Sequence, residues 1–424
     1  MDFEAAARFA NACGAYTTTI DACRVGLARN PANAMLHVYR ACAYDELDRL
    51  DEAVADCEAA LRIAPRAHSA VLALITLALV RERRADRAGA LTAARAAIAL
   101  EPDERDAHAA LGTLLAWHGD WPAAWPELEC HWLDERLTFR KRFPDLAEWD
   151  GQDIAGRRLL LVHGQGLGDL LQMIRYAPQL AARGARVLLE CPPQTLEVLR
   201  GAPGIDEIYA NGTAPRERFD AYARVMTLAR LCGEDGAPWR GAGPYLTADP
   251  QRRAAWSARL PTRSEGRRVG IVWAGNPRHP NDPRRSIPIG DLAPLAEVTG
   301  VRWCSLQVGP RADDPPPAGL VLERTGAAIR DLADTAAIVA ELDLVIAADT
   351  GVAHLAGALG VPVWLLLPRR PDWRWSRAAR TTPWYPTMRL FHSPGLTWAP
   401  VLARVARALK ATSAAAGPRA EKLA

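Results

Sequence analysis

The run Asp343-Leu344-Val345-Ile346-Ala347-Ala348, followed by Asp349-Thr350-Gly351-Val352-Ala353-His354-Leu355-Ala356-Gly357-Ala358, decides the fold of the larger part of this 424-residue chain. An apolar run closed by polar residues reads as a strand buried on both faces. The small-residue stretch after the turn reads as a helix packed closely on a sheet. Strand, turn and helix in that order make the unit of a parallel sheet with crossover helices. Working outward, the alternation recurs. Arg268 to Trp273, Val301 to Gln307 and Val361 to Leu367 read as strands of the same series. Arg158 to His163, Arg186 to Cys191 and Ile208 to Ala210 form an earlier series, with helices expected over 169–183 and 195–200. Two Rossmann-like units joined near residues 240–265 are expected to face a cleft at their strand C-termini, where ligands bind in such sheets.

Ahead of the first strand the periodicity differs. Pro31 and Pro65 lie 34 residues apart in the matching contexts Leu27-Ala28-Arg29-Asn30-Pro31 and Leu61-Arg62-Ile63-Ala64-Pro65, and Pro102 follows after 37 in Ile98-Ala99-Leu100-Glu101-Pro102. A 34-residue period closed by proline is the tetratricopeptide (TPR) signature. Ala41, Tyr44, Ala53, Ala60 and Leu61 take its small and aromatic positions, and Gly112, Leu115, Gly119 and Ala124 repeat the phase. About four repeats over residues 1–136 are expected, stacked because no single helix pair can bury its apolar face alone. An unrelated Ala-rich bundle is the competing reading, and the phase-matched prolines argue against it. Such arrays present a concave groove suited to an extended peptide or a helix. Trp117, Trp121, Trp125 and Trp132 crowd the last repeat at spacings of four, four and seven, which suits packing against a following domain or, alternatively, ligand stacking.

Composition narrows the partners. With 52 Lys+Arg against 49 Asp+Glu the net charge is +3, so nothing in the total draws the chain to nucleic acid or an anionic membrane. Only Lys141, Lys410 and Lys422 are lysines, leaving 49 arginines. Arginine suits forked contacts with phosphate, although an Arg- and Ala-rich chain also follows from genomic base composition. Hydrophobic residues at 49% and charged residues at 24% exclude disorder as the dominant state. The eight cysteines form no C-x-x-C pair and read as buried thiols of a reducing compartment. Met1-Asp2-Phe3-Glu4 lacks the basic start of a signal peptide, and the apolar stretch Ala70 to Val80 falls short of the roughly 20 residues that span a bilayer. A cytoplasmic protein without membrane insertion is expected. Its expected division is repeats over 1–136, a first Rossmann-like domain over 137–250, a second over 251–410 and a disordered tail over 411–424.

Three loops carry the candidate chemistry. His163-Gly164-Gln165-Gly166-Leu167-Gly168-Asp169 follows a strand and opens a helix, so Gly166 and Gly168 let backbone N–H groups approach an anion or an acceptor. Glu190, ending the next strand, stands where a dinucleotide fold places its ribose-binding acid, but the spacing is G-x-G-x-G rather than G-x-G-x-x-G. Asp169 doubles as a helix cap, and a position near a helix N-terminus lowers a carboxyl pKa. The second loop, Trp273-Ala274-Gly275-Asn276-Pro277-Arg278-His279 with Arg284-Arg285-Ser286, joins a glycine turn to basic side chains, a diphosphate site or a solvated surface loop. In the third, Thr350 and Gly351 place a hydroxyl and free N–H groups at a positive helix end. His354, about a turn further in, is either a ligand contact or a buried hydrogen-bonded histidine.

Taken together, G-Q-G-L-G-D, W-A-G-N-P-R-H, R-S-I-P, D-T-G-V-A-H-L-A-G-A-L-G and P-D-W-R-W resemble the GT-B glycosyltransferases related to bacterial ADP-heptose:lipopolysaccharide heptosyltransferases (glycosyltransferase family 9-like). With repeats in front, the chain is most similar to TPR-fused members, including flagellin glycosyltransferases, and more loosely to O-GlcNAc transferase. The resemblance implies an α-helical TPR solenoid followed by an α/β GT-B fold. It matches Asp169 to the acid that activates the acceptor, and Asp349, Thr350, Gly351 and His354 to the donor-binding turn. Arg285 falls where that family places a basic residue, commonly lysine, on the donor phosphates.

The expected reaction is transfer from a nucleotide-sugar co-substrate to a hydroxyl, with Asp169 or His163 as base. Asn276, Arg278, Arg285, Ser286 and Gln307 are expected on the donor side. No cofactor is expected, and no metal, because no D-x-D or His/Cys set stands out and Asp313-Asp314 before three prolines reads as a surface turn. Asp372-Trp373-Arg374-Trp375 and Trp384-Tyr385 suit a sugar or base platform, or aromatic packing. The groove favours a protein acceptor, with flagellin one candidate. Transfer to lipopolysaccharide or another glycan, and a non-catalytic scaffold that binds sugar nucleotide, are the alternatives.

Overall fold

A computed structural model describes residues 2–233, 243–279, 281–395 and 397–415. They group into two compact units: the chain up to Asp134 together with Asp372–Ser376, and Glu135–Pro371 together with the chain from Arg377.

In the first unit, helices α1 (Phe3–Ala12) and α2 (Tyr16–Arg29), α3 (Ala34–Glu46) and α4 (Leu50–Ile63), α5 (His68–Arg83) and α6 (Arg87–Leu100), α7 (Arg105–Trp117) and α8 (Trp121–His131) form four successive hairpins. The repeat is written in the backbone as well as in the prolines. Each hairpin turn passes through one left-handed residue, in order Gly14 (φ +73°), Asp48 (+65°), Ala85 (+60°) and Gly119 (+78°). The next N–H reaches back across that residue, Ala15 to Ala10, Arg49 to Tyr44, Asp86 to Arg81 and Asp120 to Leu115, capping the first helix of each pair. Two repeats use glycine there; Ala85 holds the same conformation with a Cβ that resists it. Small side chains sit at the helix contacts as expected, with Ala41, Ala53 and Ala60 fully buried.

Residues 372–376 belong to this unit through tryptophan. Trp117 Nε1 donates to the Asp372 carbonyl at 3.1 Å. The Trp373 ring lies 6.1 Å from Trp121, 5.5 Å from Trp125 and 6.0 Å from Trp132 between centroids, and Trp121 stacks on Trp125. Trp373 and Trp375 are buried, so this segment packs and is not an open sugar platform.

Helix α9 (Leu133–Arg142) belongs to the second unit from Glu135 onward. The first sheet of that unit holds β1 (Arg158–Val162), β2 (Arg186–Cys191), β3 (Glu207–Ala210) and β4 (Ala221–Arg224), all parallel, in the order β3-β2-β1-β4. The helix expected over 169–183 begins earlier and is broken: α10 (Leu167–Met173) gives way to a 3₁₀ turn at Ile174–Tyr176 before α11 (Ala177–Ala182). Pro178 accounts for the break, since it has no N–H to donate and its ring would strike the carbonyl of Ile174 in a continuous helix. Short α12 (Leu196–Leu199) and α13 (Leu228–Cys232) flank this sheet's strands, and α14 (Pro250–Ser257) leads into the second.

The second sheet comprises β5 (Arg267–Val272), β6 (Val301–Ser305), β7 (Leu322–Glu323), β8 (Leu344–Ala348), β9 (Val363–Leu367) and β10 (Met388–His392), in the order β10-β9-β8-β5-β6-β7. Helices α15 (Asp282–Arg285), α16 (Leu332–Val339), α17 (Gly351–Ala358) and α18 (Ala399–Ala415) complete it. Val269, Ile271, Ile346 and Leu366 pack with Val401, Leu402, Val405 and Leu409 in its core. Because α18 runs to Ala415, the first residues assigned to a disordered tail are helical, while 416–424 lie outside the described residues. Both sheets reverse strand order once, at β1/β4 and at β5/β8.

Candidate functional site

Crevices at such reversals are where doubly wound sheets bind ligands, and each of the three loops singled out by sequence starts at one. At the β5/β8 reversal the turn Asp349-Thr350 opens α17, whose first N–H groups have no intrahelical acceptor. Thr350 is the N-cap residue, yet its hydroxyl makes no capping bond; the buried Oγ1 has no hydrogen-bond partner among the described residues. Arg285 reaches the same place from α15. Its Nη1 donates to the Asp349 carbonyl at 3.1 Å, and its Nη2 lies so close over Gly275 that a Cβ there would approach to 2.7 Å. The buried Nε of Arg285 has no hydrogen-bond partner among the described residues, and it forms an ion pair with Asp282 Oδ1 at 3.7 Å. A cation, an unsatisfied hydroxyl and open N–H groups thus converge on one helix end, an arrangement that stabilises an anion.

Other expected donor contacts serve the turn instead. Gln307 Oε1 accepts from the N–H groups of Trp273 (3.2 Å) and Ala274 (3.0 Å), and its Nε2 donates to the carbonyls of Ala274 and Val308, both at 3.1 Å. With both amide ends committed, Gln307 shapes the loop and has no donor hydrogen left for a ligand. Ser286 likewise closes the turn, accepting from Gly275 N–H at 3.0 Å and donating to Asp282 at 2.8 Å. Asn276 and Arg278 are exposed, with Asn276 Oδ1 taking the Arg278 N–H at 3.0 Å.

At the β1/β4 reversal the glycine loop is occupied by carboxylates. Glu135 of α9 accepts from Gly164 N–H at 3.1 Å and from Gln165 Nε2 at 2.8 Å. Asp169 turns back to accept from Gly166 N–H at 2.7 Å. The N–H groups of Gly164 and Gly166 are therefore taken by carboxylates of the protein, which commits Gly166 of the expected pair Gly166 and Gly168. Burial pushes the Glu135 carboxyl above its usual range despite the Gln165 amide and nearby Arg224. His163 is buried with Nδ1 unpartnered, and burial pushes its pKa down to about 4, which makes it a weak base. Asp169 is partly exposed. Glu190 is not available to a ribose: the Arg142 fork holds it at 2.5 and 2.7 Å, and Ala214 N–H adds a third bond.

The two helix ends meet. A Cβ on Gly168 would stand 2.6 Å from His354 Cδ2, and one on Gly351 would stand 3.2 Å from Leu167 Cδ2. Only glycine at 168 allows α10 to close on the His354 ring. His354 is buried, with Nδ1 2.9 Å from the Tyr385 hydroxyl and Nε2 3.8 Å from Asp349. Burial, with the Arg175 and Arg285 guanidiniums adding to it, pushes its pKa down to about 3. Its ring is braced on the Tyr385 hydroxyl and lies against Gly168 of α10.

Sequence reasoning missed Glu135 and Arg175, and it marked Tyr385 as platform or packing and not as the partner of His354. Arg175 is buried; Nε donates to the Gln172 carbonyl at 2.8 Å, Nη1 to that of Trp384, and Nη2 to the Tyr245 hydroxyl at 3.1 Å. Its guanidinium also lies over the rings of Tyr245, Trp384 and Tyr385. Trp384 and Tyr385 therefore enclose a cation of the protein and form no open platform. Among the described residues a group of potential metal ligands, His68, Glu101 and Glu104, occurs in the repeats. No described helix is long and apolar enough to cross a membrane.

The fold is a TPR solenoid followed by two Rossmann-like halves with their switch points face to face, the GT-B arrangement. No protein-family model matches the chain. Among curated proteins it is similar to Protein FlbA of Caulobacter vibrioides, 28% identical over 294 residues, which is 62% of this chain and 48% of that protein. The chain thus spans about half the length of that relative. Among solved structures it is similar to the ADP-heptose LPS heptosyltransferase II of E. coli (16% identity, TM-score 0.43, 61% of this chain and 99% of that one). It is also similar to a glycosyl transferase family 9 protein of Veillonella parvula (12%, 0.42, 57% and 88%). An O-GlcNAc transferase mutant of Thermobaculum terrenum aligns over 96% of this chain and 89% of its own, at 14% identity and TM-score 0.33.

Proposed function

We propose that this protein is a glycosyltransferase that moves a sugar from a nucleotide-sugar donor to a hydroxyl acceptor. The observation that carries this reading is the contact between the two switch-point turns. It sets a partly exposed carboxylate, Asp169, beside a helix end that carries Thr350, Gly351 and Arg285. Asp169 takes the acceptor hydroxyl proton as the oxygen attacks the anomeric carbon. The bond from that carbon to the phosphate oxygen breaks, and the charge left on the phosphate meets Arg285 and the N–H groups of α17. The guanidinium and the helix end supply the charge that a divalent ion would otherwise bring, so the reaction is proposed to be metal-independent and to persist in EDTA. His354 and Asp349 hold the turn's shape.

The repeats point to a protein acceptor taken up in their groove, with flagellin the first candidate from the family resemblance, and to reaction in the cytoplasm. The test is intact-mass analysis of flagellin and other candidate acceptors co-expressed with the protein. A hexose- or other sugar-sized increment is expected with the wild type and none with Asp169→Ala. Loss of the increment on deletion of residues 1–134 supports recruitment by the repeats; its persistence overturns that part. An unmodified acceptor set together with no turnover of any nucleotide sugar overturns the enzyme reading.

A further inference from the structure

We propose that Glu135, which lies on α9 ahead of the first strand, is a positioning residue for the transfer reaction, clamping the glycine loop so that Asp169 is presented to the acceptor. The proposal rests on the transferase reading above and adds a residue that no motif contains.

Four observations support it. The loop His163–Asp169 contains three glycines, so free in solution it samples many backbone states, and ordering it costs roughly 1–2 kcal/mol per residue. Its consecutive donors are held by two carboxylates, Gly164 N–H and the Gln165 amide by Glu135, and Gly166 N–H by Asp169 itself. Asp169 is thus bound to a loop whose other end hangs on Glu135. Next, the fit is steric as well as polar: a Cβ on Gly164 would stand 2.9 Å from Glu135 Cγ and 3.0 Å from its Oε1, so the Glu135 side chain fills the space that a side chain at 164 would need. Lastly, the carboxylate is buried although it makes no ion pair within 4.0 Å among the described residues. The neighbouring Arg224 forms its ion pair with Glu148, at 2.6 Å. A buried carboxylate whose bonds go to a glycine N–H and a glutamine amide is committed to the loop.

The carboxylate does not touch a reacting atom, so its removal should slow the chemical step and leave donor binding intact. The experiment follows nucleoside diphosphate release from UDP-, GDP- and ADP-sugars in the presence of the co-expressed acceptor set, with nucleoside diphosphate affinity and thermal midpoint measured in parallel. Glu135→Ala is expected to lower kcat on the order of 10²-fold, the effect of an ångström-scale misplacement, with affinity and midpoint near wild type. Glu135→Gln should restore most of the rate, because the Gln165 amide can turn over and accept from the new side-chain NH₂ while the new carbonyl keeps the Gly164 bond.

Gly164→Ala should be harmful in the wild type and much less so beside Glu135→Ala, where its Cβ has room. A wild-type kcat for Glu135→Ala overturns the proposal. So does Glu135→Gln falling as far as Glu135→Ala, or a Gly164→Ala defect equal in both backgrounds. If Asp169→Asn also keeps the wild-type rate, the base role of Asp169 has failed and the clamp with it; if no nucleotide sugar is turned over by the wild type, the transferase reading has failed; if Asp169→Asn is inactive while Glu135→Ala is not, only the role of Glu135 has failed.

Discussion

Each half of the second unit places a turn at the reversal of its strand order, after β1 in one and after β8 in the other, and the two are filled with opposite charge. Where β1 ends, the loop is closed by Glu135 and Asp169, so an incoming phosphate would meet two carboxylates in place of free N–H groups. Where β8 ends, the helix mouth carries Arg285 and an unsatisfied Thr350 hydroxyl. A glycine-rich turn ahead of a helix is therefore not in itself an anion site. What decides its role is whether its donors are already used within the protein. In the proposed reaction this difference divides the labour, base on one side and leaving-group stabilisation on the other, across a seam where Gly168 touches His354.

The largest expected effect breaks the first side: Asp169→Asn should lower transfer by roughly 10²–10⁴-fold, the usual worth of a general base, as read by product mass. On the other side, Arg285→Ala should cost about 10²–10³-fold in kcat/KM, with Arg285→Lys intermediate because it keeps charge and loses the fork onto the Asp349 carbonyl. Thr350→Ala sharpens the comparison through its sign. The hydroxyl caps nothing, so calorimetry should show unchanged stability, while nucleotide-sugar affinity falls about tenfold, the worth of one hydrogen bond to a charged group.

Acidity tests the seam itself. His163 and His354 have pKa values pushed down to about 4 and about 3, below the ~6.5 of an unfolded chain. The unfolded chain then binds more protons, so this contribution to stability is full above about pH 6.5 and is lost as pH falls toward the folded values. Urea titrations between pH 7 and 4 should show the loss, and His354→Gln should flatten it. The smallest effect lies in the repeats, where Ala85→Gly should gain about 0.5–1 kcal/mol in urea unfolding by relieving the left-handed φ of +60°.

Much of the architecture was legible because its signals are local. The proline period marked the repeats, and the runs at 186–191, 301–307 and 343–348 marked central strands. The strands that escaped, β4, β7 and β10, all lie at sheet edges. Edge strands are short and need not be apolar on both faces, so they carry little pattern. The site divides in the same way. Asp169, Thr350 and Arg285 stood out because strand, turn and helix surround them in sequence. Glu135 and Arg175 act through contacts distant in the chain, and nothing near them signals a role; Tyr385 stood out as an aromatic, but its bonding partner His354 lies 31 residues away. Conversely, Gln307 and Ser286 look like ligand contacts by position, and only their hydrogen bonds show that the turn has claimed them.

The central claim is that the anion belongs to the α17 end and the base to the glycine loop. Titration of ADP, GDP and UDP into wild type, Asp169→Asn and Arg285→Ala tests it most directly. The account predicts that the nucleotide bound by wild type keeps its affinity for Asp169→Asn and loses it by tenfold or more for Arg285→Ala. Undiminished binding by Arg285→Ala, with loss in Asp169→Asn, would contradict it.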